Sequence, residues 1–219
     1  MSTENDSTGI VAVLGVGRVG TVVARSALRA GYSVNVASSG GADRIALLVD
    51  VAIPGARATT AADAVRDADI VVVAVPLGKF RSVDPEMLVG KVVVDIMNYW
   101  PPVDGHLEDF DGDASSSEVV AQHLGRSRLV KTLNHIGYHE LEQDAAPGAS
   151  QRRALAVASD DEDAAGQVAT MIDRFGFDPV IAGPLSAGRR FEPGTAIFND
   201  AFTRSALEAE LGLSAIAQA

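Results

Sequence analysis

The chain has 219 residues, 47% of them hydrophobic, enough to bury a core as one large domain or one domain with a small lobe. A formal net charge of -11 without a basic stripe argues against nucleic acid or an anionic membrane as a main partner. There is no cysteine, which excludes disulfides, thiolate metal sites, a cysteine nucleophile and a CxxC redox pair; with no apolar run of membrane-spanning length, the expectation is a cytoplasmic protein. Residues 1–8 are polar and acidic, unlike a signal peptide, and are expected to form a frayed tail.

The first ordered stretch is GIVAVLGVGRVG, Gly9 to Gly20. Ile10 to Leu14 form a continuous apolar run, suited to a parallel strand buried on both faces. Gly15, Gly17 and Gly20 follow with the spacing G-x-G-x-x-G, and Val19, Val22, Val23, Ala27 and Ala30 then recur at helical intervals. Strand, tight turn and helix in that order are what a dinucleotide site requires. Gly15 permits the sharp turn, Gly17 admits a pyrophosphate to the backbone, and Gly20 lets the helix lie close. The helix's unpaired N–H groups and positive end then hold the pyrophosphate.

Gly31 stops the helix, and Tyr32 to Ala37 is the second strand. A carboxylate that binds the ribose hydroxyls of NAD is usual roughly 20 residues beyond the glycine turn. Ser38, Ser39, Gly40 and Gly41 stand there instead. Hydroxyls and backbone N–H groups accept the extra phosphate of NADP, which a carboxylate would repel, so NADP is favoured, with Arg18 and Arg44 as candidate cationic partners.

Thr60 with Asp63 begins a short helix, Ala61 to Ala68, and Asp69 to Val75 is a strand stopped by Pro76. Lys91 to Ile96 is another strand, delivering Met97 to Trp100 to the sheet edge where the glycine turn is expected. Pro101 and Pro102 are expected to force an extended segment, and Gly105 to Ser117 to form a surface loop, with Ser117 capping a helix from Glu118 to Leu124. Arg128 to Leu133 is a strand ending in NHIGYH. His135 and His139 suggest the zinc pattern H-x-x-x-H, but no Glu follows His135 and Gly137 opposes a helix; a ligand-facing loop or surface histidines are expected, and no metal. Ala145 to Ser150 is a candidate linker. A strand over Arg153 to Ala158, a helix from Asp160 or Asp161 to Gly176, a strand over Asp178 to Ala182 and a closing helix over Thr195 to Leu211 complete the expectation. The fold class is α/β, a doubly wound parallel sheet with a small C-terminal α/β portion, divided into a dinucleotide-binding domain over 9–146 and a substrate-side portion over 147–219.

Taken together, GVGRVG, VVVAVP, DIMNYWPP, VKTLNHIGYHEL and GPLSAGRRFEPGT resemble the deazaflavin-dependent NADP oxidoreductases, the coenzyme F420:NADP oxidoreductase family, over roughly Ile10 to Gly194. The resemblance implies an NADP-binding doubly wound domain, with hydride passing between NADP(H) and coenzyme F420 as co-substrate. It places Gly15, Val16, Gly17, Arg18, Val19 and Gly20 on the pyrophosphate, Ser38 and Ser39 on the adenosine phosphate, and Ala74, Val75 and Pro76 at the nicotinamide. Asn98, Asn134, His135, Pro184, Leu185 and Ser186 would border the second coenzyme. Where the family often carries an arginine this chain has Ser39, so Arg18 or Arg44 substitutes, or the cofactor preference is relaxed. Family members are commonly dimers.

No triad, nucleophile elbow or paired carboxylates are evident, as suits direct hydride transfer between two coenzymes, in which the protein supplies orientation and excludes water. His135 and Asn134 are helpers, not an obligatory base. Arg189 and Arg190 either receive the anionic side chain of the deazaflavin or are solvated surface arginines. The competing readings are an NADPH-dependent flavin or ferric reductase and a non-catalytic NADP-binding sensor. An imine or pyrroline-carboxylate reductase fits less well, because the C-terminal portion is short for their helical dimerisation region.

Overall fold

The computed structural model describes residues 8–213. The expected tail therefore lies outside the described residues except for Thr8, whose N–H donates to Gly31 O at 3.1 Å.

Apolar runs become central strands. β1 (Ile10–Leu14), β4 (Ile70–Val73) and β5 (Val92–Asp95) are buried almost throughout. Alternate residues serve opposite faces: Val11, Val13, Ile70, Val72, Val92 and Val94 enter one core cluster, and Ala12, Leu14, Val71, Val73 and Val93 another. Flanking them are β2 (Ser33–Ala37), β3 (Arg57–Ala58), β6 (Arg128–Lys131), β7 (Ala154–Ala158) and β8 (Asp178–Gly183). The eight strands form one sheet in the order β3-β2-β1-β4-β5-β6-β7-β8. All neighbours are parallel except β6 and β7, so β7 and β8 run against the rest. This is the doubly wound α/β arrangement, with the chain reversing direction across the sheet on either side of β1 and β4.

α1 (Arg18–Arg29) lays Val22, Val23, Ala24 and Ala27 on the first face, where α7 (Glu162–Phe175) adds Val168, Met171, Ile172 and Phe175. Gly176 ends α7 in the left-handed conformation, as expected. α3 (Ala61–Arg66) is capped by Thr60, whose hydroxyl oxygen accepts the Asp63 N–H.

Several local expectations are corrected. Residues 42–52, assigned no element from sequence, form α2 (Ala42–Ala52); it buries only Ile45 and Val49 and exposes Leu47 and Val51, so its pattern lacks a single apolar stripe. Pro101 and Pro102 open a one-turn helix, α4 (Pro101–Asp104), because proline is tolerated at the first helical positions. Ser115, not Ser117, caps α5 (Ser116–His123), in a capping box with Glu118. Between α4 and α5 the loop includes a 3-10 turn, Glu108–Phe110. After the short α6 (Glu140–Gln143), the remaining correction is at the C-terminal end. Thr195 to Leu211 is not one helix: Asn199 sits at φ 62, and Thr203 caps a shorter α8 (Arg204–Glu210). Leu207 and Leu211 pack with Phe191 and Ile197 against Ala154, Ala156 and Val180.

The turn between β1 and α1 fixes the top of the sheet. Gly15 has φ +117, and a Cβ there would lie 2.4 Å from Ala74 O; a Cβ on Gly20 would lie 1.9 Å from Gly15 O. A Cβ on Gly17 meets nothing within 4 Å. Gly20→Ala is therefore expected to destabilise the protein by about 1–3 kcal/mol or more in urea unfolding, whereas Gly17→Ala stays within about 1 kcal/mol of the wild type.

Candidate functional site

The carboxyl ends of β1, β2 and β4 open onto a cleft of about 380 Å³. Of the residues expected there, Gly15, Val16, Gly17, Ser38, Ser39, Ala74, Val75 and Pro76 line it. Gly17 is the N-cap of α1 and supplies no side-chain cap, and the first turn of that helix holds no acid. Gly41 likewise begins α2 without a side-chain cap. Side chains cap α3, α5, α7 and α8. Of the helix starts without a side-chain cap, those of α1, α2, α4 and α6, the first two border the glycine turn and the serine loop, where backbone N–H groups stay open to an anion. Ser38 Oγ accepts the Gly40 N–H at 3.3 Å, shaping its loop, and the aliphatic part of Arg44 lies over Gly40.

Sequence reasoning missed the opposite wall: Ala61, Lys79, Ser82, Val83 and Met87. A signal was present. Leu77, Phe80 and Val83 are buried at intervals of three along the 3-10 helix Leu77–Ser82 and the residue that ends it, which turns Lys79 and Ser82 the other way, into the cleft. Lys79 has no ion-pair partner among the described residues.

The structure separates Arg18 from Ser38 and Ser39. Arg18 borders an adjoining cavity of about 390 Å³ with Val16, Gly17, Tyr138 and His139, its guanidinium carbon 6.0 Å from the centre of the Tyr138 ring. Val19, on the first turn of α1, is partly exposed and lines neither cavity.

At the ends of β5 and β6, Asn98 and Asn134 hold each other: Asn98 Nδ2 donates to Asn134 O at 2.7 Å, and Asn134 Nδ2 to Asn98 Oδ1 at 3.1 Å and Phe191 O at 3.0 Å. Asn134 is buried and Asn98 half-buried.

His135 is neither a surface nor a ligand-facing histidine. It is buried, its Nε2 accepts the Ala156 N–H at 3.0 Å, and its Nδ1 lies 3.3 Å from Asn134 Oδ1. Accepting an N–H requires Nε2 to be unprotonated, which assigns the proton of the neutral ring to Nδ1. His139 is exposed and packs on Tyr138, so the two histidines do not converge; no group of three or more candidate metal ligands occurs among the described residues.

The C-terminal candidates also move. Leu185 is a core residue: its N–H donates to Asp160 Oδ1 and its carbonyl accepts from Ser115 Oγ, both at 3.0 Å. Pro184 lines a cavity with Ile181, Ser159 and Glu162 that shares no residue with the glycine-turn cleft, and Ser186 is exposed. Arg189 reaches Gly112 O at 3.4 Å and Asp113 at 3.6 Å, and Arg190 donates to Leu211 O and Glu210 O. Both arginines are engaged within the chain.

Residues 10–99 match the family described as NADP oxidoreductase, coenzyme F420-dependent, so the resemblance read from the motifs is borne out over β1 to β5. A hypothetical protein from Sinorhizobium meliloti is 25% identical, covering 90% of this chain and 96% of that one at a TM-score of 0.78. A candidate F420-dependent NADP-reductase from Arthrobacter sp. FB24 is 26% identical, covering 82% and 86% at a TM-score of 0.67. An imine reductase from Pseudomonas sp., 19% identical at a TM-score of 0.58, shares the fold, but this chain spans only 57% of its length. Among curated proteins none matches. The match over residues 10–99 is thus to a family of NAD(P)-dependent oxidoreductases.

Burial, with Arg153 and Lys131 adding to it, pushes the His135 pKa down from 6.5 to about 3. Between those values the unfolded chain binds a proton that the folded one does not, so stability is full above pH 6.5 and falls as pH drops towards 3. His135→Gln, which keeps an acceptor for Ala156, is expected to flatten urea-unfolding stability over that range by up to one proton, about 1.4 kcal/mol per pH unit.

Proposed function

We propose that the protein transfers hydride between NADP(H) and the deazaflavin coenzyme F420. The observation that carries this reading is the uncapped start of α1 at Gly17, opening into the cleft walled by Ser38 and Ser39 on one side and Ala74 to Pro76 on the other. The family match over residues 10–99 supports the same pair of coenzymes.

The residues present fit a phosphorylated dinucleotide. The N–H groups at the start of α1 meet the pyrophosphate, and the hydroxyls of Ser38 and Ser39, with no carboxylate between them, accept the adenosine phosphate. Lys79, across the cleft and without an ion-pair partner among the described residues, supplies the cation that position 39 does not. The nicotinamide supplies the hydride chemistry when bound. The chain's own task is orientation: Ala74 to Pro76 shape the floor beside the glycine turn, and the paired Asn98 and Asn134 present a fixed polar edge to the second coenzyme. His135 acts behind that edge, holding Ala156, and exchanges no proton with a ligand. Residues 9–146 then form the NADP-binding unit and 147–219 the substrate-side portion.

Mixing protein, NADPH and oxidised F420 is expected to bleach the visible absorbance of the deazaflavin, with kcat/KM at least about tenfold lower when NADH replaces NADPH. Turnover only with flavin and ferric chelate, or dinucleotide binding with no turnover, would sink the reading. Lys79→Ala is expected to raise the KM for NADPH about tenfold, a charge-assisted hydrogen bond's worth, while leaving that for NADH within about twofold.

A further inference from the structure

Two charged side chains lie at the carboxyl ends of neighbouring strands, paired in register: Asp95 on β5 and Lys131 on β6. Both are 0% exposed. Lys131 Nζ lies 3.3 Å from Asp95 Oδ2, 2.5 Å from Met97 O and 3.3 Å from Ser116 Oγ, so all three of its protons have acceptors. Asp95 Oδ1 accepts the Met97 N–H at 2.9 Å, and Oδ2 the Ser117 hydroxyl at 2.6 Å. The carboxylate thus grips the N–H of Met97 and the ammonium its C=O.

A buried ion pair is weak evidence for stability, since apolar residues of similar volume often serve a core as well or better. What this pair does uniquely is clamp both backbone groups of the residue before Asn98. The clamp has a second anchor. Ser116 accepts from Lys131 and gives its own hydroxyl and N–H to Glu192 Oε1, each at 2.7 Å, tying the edge to the C-terminal portion. Gly188 closes the remaining side, where a Cβ would lie 3.3 Å from Lys131 Cγ. Just beyond the clamp, Asn98 and Asn134 interlock, and Trp100, the sole tryptophan, stacks on Phe198 with ring centres 6.4 Å apart.

We propose that Asp95 and Lys131 are a positioning pair, setting where the segment from Met97 to Trp100 stands, and with it the Asn98 edge offered to the second coenzyme. This rests on the hydride-transfer reading for its consequence but not for its geometry.

The test is the double variant Lys131→Met with Asp95→Asn, which removes the ammonium's hold on Met97 O without leaving a buried charge unpaired, while the asparagine oxygen still accepts the Met97 N–H. Three properties are measured: acrylamide quenching of Trp100 emission, NADPH affinity by calorimetry, and kcat with F420. Quenching is expected to rise about twofold and kcat to fall about tenfold or more, with the NADPH dissociation constant within about twofold, because the dinucleotide cleft is built by other strands. Wild-type quenching and kcat in the folded double variant would overturn the proposal and reduce the pair to packing. If that variant does not fold, Lys131→Gln with Asp95→Asn shortens the side chain away from Met97 O while keeping a polar partner for Ser116; the same rise in quenching is expected, and its absence overturns the proposal. Should the wild type show no turnover with F420, the hydride-transfer reading fails by itself, and Trp100 quenching still decides the positioning role.

Discussion

The rest of the molecule depends on the closeness with which α1 meets the end of β1. Gly20 lies so near the carbonyl of Gly15, and Gly15 so near that of Ala74, that no side chain fits at either position. That contact seats the helix start over the junction of β1 and β4. It also leaves the first N–H groups of α1 without a side-chain acceptor. At α3, α5, α7 and α8 the chain spends a serine, threonine or aspartate on the helix start, whereas α2, α4 and α6, like α1, have no side-chain cap. Among these uncapped starts, that of α1 is the one whose N-cap, Gly17, lines the cleft, where an anion can complete the bonding.

Much of this was legible in the sequence, and the reason is periodicity. The runs IVAVL, IVVV and VVVD carry near-unbroken apolar character because both faces of the central sheet are covered, and the glycine spacing marks the turn without help from tertiary contacts. Less was legible where tertiary placement decides. A serine near a helix start looks the same whether it caps from outside, like Ser115, or lies in the first turn and bonds a buried carboxylate, like Ser117. Lys79 was hidden because its signal is a threefold spacing over one short turn, easily lost between a strand and a proline. The apolar residues from Ile197 to Leu211 suggested one helix, yet Asn199 in the left-handed region breaks it and the burial is achieved from two directions.

The histidine in the NHIGYH run shows why residue type alone misleads. β6 and β7 share a single registered antiparallel pair, Lys131 with Ala158. Beyond it, side chains replace the missing ladder. His135 takes the N–H of Ala156, the Thr132 hydroxyl donates to the carbonyl of Ala156 at 2.7 Å, and Ser159 donates to Leu129 O at 2.7 Å. A backbone that changes strand direction leaves polar groups that must be satisfied, and these three residues satisfy them. The histidine that resembled a ligand is the seam by which the C-terminal strands join the sheet.

The same logic orders the charges. A net charge of -11 would seem to oppose an anionic coenzyme, but charge acts over roughly a Debye length, about 8–10 Å in physiological salt. Arginines placed away from the cleft are largely neutralised by nearby acids, as in Arg25 with Glu142, Arg128 with Asp161 and Arg152 with Asp178. Arg44 beside the serine loop and Lys79 on the opposite wall of the cleft, by contrast, have no ion-pair partner among the described residues. The acidic surface is thus a distant and screened background, while the local field at the cleft is set by Lys79, Arg44 and the starts of α1 and α2. Those few groups, not the overall balance, decide which anion the sheet edge can hold.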